Sequence, residues 1–134
     1  MKVAFTSTTG AVVDEHFGTA SRFFVWDITP DAASLACELP APQPVDDEED
    51  RIAARAAVLE GTAIVYTMAI GGPAAAKLVA RRIHPMKTQD PKPVADLVAQ
   101  LQTVLRGNPP PWLRKLIGAP HLRLVTESAD EAEG

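Results

Sequence analysis

Three groups of side chains in this sequence could do chemistry, and none of them reads as a hydrolytic centre. The first is Asp14-Glu15-His16-Phe17-Gly18, a histidine on a glycine-ended loop. A neutral imidazole presented in this way is a good transition-metal ligand. The plainer reading is a loop histidine hydrogen-bonded to its neighbours, and no nucleophile or second carboxylate pair is spaced to work with it. The second is Gly71-Gly72-Pro73, where two glycines at a helix start let an anion approach free backbone N–H groups. It lacks the Gly-Lys-Ser/Thr of a phosphate loop and the spacing of a dinucleotide fingerprint, so a simple tight turn is the alternative. The third group is dispersed: Met68 ahead of the glycines, His84 before Pro85, and the single cysteine, Cys37. Thioether, imidazole and thiolate all suit soft metals. The simpler assignments are Met68 to the core, His84 to a structural place on a strand, and Cys37 to a small buried residue on an apolar strand.

The stretch that must position most of these runs from Thr62 to Lys87. Thr62 to Met68 is a short apolar run bounded by glycines, which suits a buried strand. Pro73 opens a helix, Arg81-Arg82 ends it, and Ile83 to Lys87 forms the next strand. The result is a right-handed βαβ unit, with the loops at the carboxyl end of the sheet as the expected ligand position. Ahead of it, Lys2 to Ser7 reads as a first strand, Val12 to Ser21 as a loop, and Arg22 to Ile28 as a strand covered on both faces. Leu35 to Leu39 gives a third strand, and Pro40 to Pro44 an extended connector. Asp46 to Asp50 then supplies five acids directly before Arg51 to Gly61. Five adjacent carboxylates cannot all face one ion, so they read as the N-terminus of a helix stabilised through its dipole. Pro91 to Arg106 carries Val94, Leu97, Val98, Leu101 and Leu105 at helical spacing. Three prolines break that helix at Pro109 to Pro111, and Trp112 to Ile117 forms a short helical turn. The predicted fold class is α/β, a mixed sheet of about five strands flanked by helices in the order βββαβαβα. Residues 1–118 form a single domain, and residues 119–134 an acidic tail expected to be disordered.

At 134 residues the chain is long enough for one core and too short for two. A net charge of −4, with no basic cluster longer than Arg81-Arg82, argues against a nucleic-acid partner. Neither a signal-peptide apolar region nor a membrane span is visible, so a cytoplasmic location is expected. One cysteine excludes an internal disulfide framework and any four-cysteine zinc or iron–sulfur site built within one chain.

Four segments together carry a resemblance: VDEHFGTASRFFVWDI, AIVYTMAIGGPAAAKLV, RIHPMK and LQTVLRGNPPPWLRKLI. Over roughly Lys2 to Ile117 the sequence resembles the NifX/NafY family of nitrogenase iron–molybdenum cofactor biosynthesis proteins. The resemblance implies a ribonuclease-H-like fold without nuclease chemistry, in a carrier and not an enzyme. Its cargo would be the iron–sulfur precursor of the cofactor made by NifB, or the mature cofactor. Its partners would be NifB and the NifEN scaffold, with the chain a monomer or weak dimer. His16 matches the family's histidine and becomes the leading ligand. The N–H groups of Gly71 and Gly72, with Arg22, Lys77 or Arg81, are then candidates to offset the charge of a sulfide-rich cluster. Relatives often carry a cysteine near the start of the strand that here begins at Thr62. Its absence leaves Cys37 or His84 as substitutes, with Met68 a separate candidate, or else a cluster held by His16 and electrostatics alone.

Two other classes compete. A ribonuclease-H-type enzyme needs several acids converging on a divalent metal, and the predicted strand interiors offer mainly Asp27. A regulatory or partner-binding module that carries no cluster is favoured by PPPWLRK, where proline and tryptophan can form a rigid contact surface. The alternative for that segment is a lid over the core.

Overall fold

A computed structural model of the chain describes residues 1–117. The strands are β1 (Lys2–Thr6), β2 (Val12–Val13), β3 (Arg22–Ile28), β4 (Ala33–Pro40), β5 (Ile64–Thr67), β6 (His84–Lys87) and β7 (Lys92–Pro93). The helices are α1 (Glu48–Val58), α2 (Gly72–Ala80), α3 (Val94–Arg106) and α4 (Pro111–Ile117). Both the domain boundary expected at 118 and the acidic tail over 119–134 lie outside the described residues.

Five strands form one sheet in the order β4-β3-β1-β5-β6. β1 pairs in parallel with β5, and β5 with β6, while β3 runs antiparallel to both β1 and β4. Counted along the chain this order is 3-2-1-4-5 with the second strand reversed, the ribonuclease-H-like arrangement, and the predicted βαβ unit is β5-α2-β6. Alternation along β1 divides the core. Val3 and Phe5 face α3 and α4 through Leu97, Val98, Leu101, Leu113 and Leu116. Ala4 faces α1 and α2 through Ala56, Leu59, Ala74 and Leu78. β3 is covered on both faces as expected, with Phe23 and Val25 on the α1/α2 side and Ile28 on the other.

Local chemistry sets the element ends. Asp47 caps α1 by accepting the Asp50 N–H at 3.0 Å, and Glu48, Glu49 and Asp50 fill the first turn, as the acidic run predicts. α3 starts three residues later than the apolar spacing suggests. Lys92 precedes a proline and is therefore extended, and Lys92–Pro93 pairs with Val12–Val13 as a small second sheet. This pairing gives strand structure to the start of the predicted loop Val12 to Ser21.

Cys37 is exposed, not a small buried residue. β4 is an edge strand, and opposite Val25 and Trp26 its partners jump from Cys37 to Leu35, leaving Ala36 bulged. Such an edge bulge disturbs the alternation that would bury one face; Leu35 is 49% exposed.

Candidate functional site

The loop carrying His16 is fixed by backbone atoms. The Met68 N–H donates to the Glu15 carbonyl at 3.0 Å, and the Phe17 N–H to the Ala69 carbonyl at 2.9 Å. His16 is bracketed by these two bonds, just beyond the carboxyl end of β5. The buried hydroxyls of Thr6 and Thr67, the last residues of β1 and β5, also donate to the Glu15 carbonyl, at 2.9 and 3.1 Å. Phe17 is only 1% exposed and sits against Phe23, which contributes about 2–3 kcal/mol to anchoring the loop. The His16 side chain itself is exposed. The backbone is held while the imidazole is left in solvent.

Opposite it stands the start of α2. Gly71 is the N-cap residue with φ −74° and ψ 158°, no side chain caps the helix, and no acid occupies its first turn. A Cβ added at Gly72 would meet nothing within 4 Å, and at Gly71 only Pro73 Cδ at 3.9 Å. Neither backbone strain nor crowding requires glycine here, so its effect is to leave the helix N–H groups uncovered. His16, Thr19, Ala69, Ile70 and Gly71 line a shallow cleft of about 390 Å³. A neighbouring cleft of about 210 Å³ continues from Gly18, Thr19 and Gly71 to Glu48, Arg51 and Arg55 of α1. The α1 N-terminus is neutralised by its own acids; the α2 N-terminus is not.

Arg55 is a site residue that sequence reasoning missed. Its guanidinium donates to the Phe17 and Ala20 carbonyls at 3.0 and 2.8 Å, tying the His16 loop to α1. Burial lowers its pKa and nearby Glu15 opposes that shift, but a guanidinium stays charged at neutral pH. The signal was legible in the helical spacing. Arg55 follows Ile52 by three residues and precedes the buried Ala56 and Leu59, which puts it at the inner margin of the apolar stripe.

The remaining candidates are not brought together. Gly72 adjoins Gly71 and the cleft. Arg22 lies at the same end of the sheet but pairs with Glu38 at 3.5 Å. Lys77 is exposed, about 9 Å further along α2 from its N-cap. Arg81 ends α2 at the opposite end of the sheet and bonds Glu60 at 2.8 Å. His84 pairs with Ile64 at the amino end of β5 and stacks on Trp112 with ring centroids 3.9 Å apart. Met68 packs against the α3/α4 side of the core, and Cys37 lies on the far edge strand. Among the described residues, no three His, Cys, Asp or Glu side chains gather as a metal site. The PPPWLRK segment covers the core as a lid on one side, with Leu113 and Leu116 buried and Trp112 half-buried against His84, and leaves Arg114 and Lys115 exposed on the other.

Fold and site define a small ribonuclease-H-like α/β protein whose cleft lies at the carboxyl ends of its parallel strands. The crystal structure of PH0822 has the same fold, with a TM-score of 0.63 at 18% identity over 77% of this chain and 91% of that one. The profile of the family described as dinitrogenase iron–molybdenum cofactor matches residues 1–104. NifX of Herbaspirillum seropedicae is 37% identical over 93% of this chain and 87% of its own length. NifX of Rhodobacter capsulatus is 34% identical over 88% and 78%. NifY of Azotobacter vinelandii is 40% identical over 89% of this chain, which spans only 49% of that protein. The chain belongs to the dinitrogenase iron–molybdenum cofactor family, among its NifX and NifY members. Among the described residues no helix is long and apolar enough to cross a membrane.

Proposed function

We propose that this chain acts in biosynthesis of the nitrogenase iron–molybdenum cofactor as a carrier. It binds the iron–sulfur precursor made by NifB and releases it to the NifEN scaffold without catalysing a reaction. The observation that carries this reading is the exposed imidazole of His16 on a backbone-pinned loop, in one cleft with the uncapped N-cap Gly71. A preassembled cluster supplies its own sulfides as iron ligands, so one imidazole and a favourable field are enough to hold it. The α2 N–H groups face the expected negative charge of the cargo, and the Arg55 cation stands behind the loop. Shallowness and few ligands suit a carrier that must let go, and the mature cofactor, with the same sulfide-rich surface, is a second candidate cargo.

The test is anaerobic titration of the chain with the isolated NifB product, followed by desalting, iron analysis and visible absorption. The carrier reading expects iron and cluster absorption to co-elute with protein. Protein eluting free of iron would contradict it and favour a partner-binding module that carries no cluster.

A further inference from the structure

At the end of the sheet remote from His16, a groove of about 360 Å³ opens between α2, β6 and α4, lined by Val79, Arg82, Ile83, His84, Trp112 and Lys115 among others. Its floor is apolar: Ile83 is buried, Trp112 is half-buried, and Val79 is 60% exposed despite its size. Its charges have one sign. No acid lines it, and Arg82 and Lys115 enter no ion pair among the described residues. Burial pushes the His84 imidazole below its ordinary pKa, so the positive charge at neutral pH comes from the arginine and the lysine.

Arg82 is also in the wrong conformation for its residue type. α2 ends with the Ile83 N–H on the Leu78 carbonyl and the Arg82 N–H on the Val79 carbonyl, both at 2.9 Å. This is the helix stop in which the residue after the C-cap is left-handed and usually glycine. Arg82 occupies that position with φ 64°. Local stability would favour glycine there, yet the position carries a cation at the wall of an apolar groove. A left-handed arginine at the wall of a groove is the kind of backbone outlier that motivates a functional reading.

From the groove's apolar floor, its acid-free walls and the left-handed Arg82, we infer that it is a docking site for an acidic segment of a partner protein, one that places an apolar side chain beside Trp112 and carboxylates on Arg82 and Lys115. Charge complementarity selects the acid, and the apolar floor selects a peptide over a free anion. The inference does not depend on the cargo reading, since the two sites lie at opposite ends of β5.

The experiment is NMR titration of the full chain with an N-acetylated, C-amidated hexapeptide of alternating aspartate and leucine. The expected result is saturable shifts of the Trp112 indole and of the Val79, Arg82 and Lys115 amides, weakened as salt rises. Arg82→Gly should reduce affinity about tenfold while its melting temperature equals or exceeds that of the parent, which excludes misfolding as the cause. Absence of shifts, shifts unchanged in Arg82→Gly, or equal shifts with the aspartates replaced by asparagine would each overturn the proposal. So would inorganic phosphate reproducing the response at the same concentration, which would make this a small-anion site, or groove shifts produced by protein concentration alone, which would make the occupant a second copy.

Discussion

Arg55 and His16 divide the work of the loop at the scale of single residues: one holds the backbone, the other meets the solvent. Removing Arg55 strands the Phe17 and Ala20 carbonyls, so Arg55→Ala should destabilise the fold by about 2 kcal/mol in denaturant unfolding. Arg55→Lys should recover little, because a single ammonium cannot reproduce the fixed donor geometry of a guanidinium. His16→Ala should leave stability within about 0.5 kcal/mol of the parent, since the side chain makes no packing contribution from its exposed position. His84 sets a pH dependence. Burial disfavours its charged ring, so its folded pKa is lower than the unfolded value of about 6.5. Above the unfolded pKa both states are neutral and the group adds no slope. As pH falls through the window between the unfolded and folded values, the unfolded state takes the proton first and stability declines. Urea unfolding between pH 7.5 and 5 should therefore show a slope in the parent, at most about 1.4 kcal/mol per pH unit, that His84→Phe reduces. An equal slope in the variant would remove His84 as its source.

Among the elements, the beginning of α2 separates stability from function. A Cβ at Gly71 meets nothing closer than Pro73 Cδ at 3.9 Å, so Gly71→Asp can give the helix the cap and the negative charge that its N-terminus lacks. It should raise stability by a few tenths of a kcal/mol while weakening retention of an anionic cargo, read by thermal melting beside iron analysis. Gly10→Ala should go the other way, losing more than about 1 kcal/mol. Gly10 has φ 92°, and a Cβ there would come within 2.9 Å of the Phe24 ring. The sequence made these elements legible where periodicity or a terminator was strong: β5 between glycines, α1 behind its acids, α2 behind Pro73, and the two-sided apolar pattern of β3. It was silent where structure depends on distant pairing. The two-residue ladder of Val12–Val13 with Lys92–Pro93 joins segments some eighty residues apart and has no periodicity of its own. The exposure of Cys37 follows from β4 being an edge, which strand composition does not reveal. His16 and Gly71 stood out by residue type, but that they share one cleft depends on the hydrogen bonds between residues 15–17 and 68–69.

On the scale of the whole molecule, the parallel strands β1, β5 and β6 give the chain two chemically different ends. The carboxyl end gathers the pinned loop and the open helix N-terminus. The amino end gathers Arg81, bonded to Glu60, and the Arg82 groove. Under the proposed carrier function, this arrangement would leave the cargo accessible at one end while a partner holds the other. The chain is acidic overall, at −4, so cationic sites are local features against an unfavourable background field. Placement of the cargo at the carboxyl end is the proposal. Its most direct test is iron retained per chain after anaerobic loading with the NifB product and desalting, compared across the parent, His16→Ala and His84→Ala. The account predicts iron on the parent and on His84→Ala and its loss from His16→Ala. Iron lost from His84→Ala but retained by a folded His16→Ala would contradict it and move the cargo to the other end of the sheet.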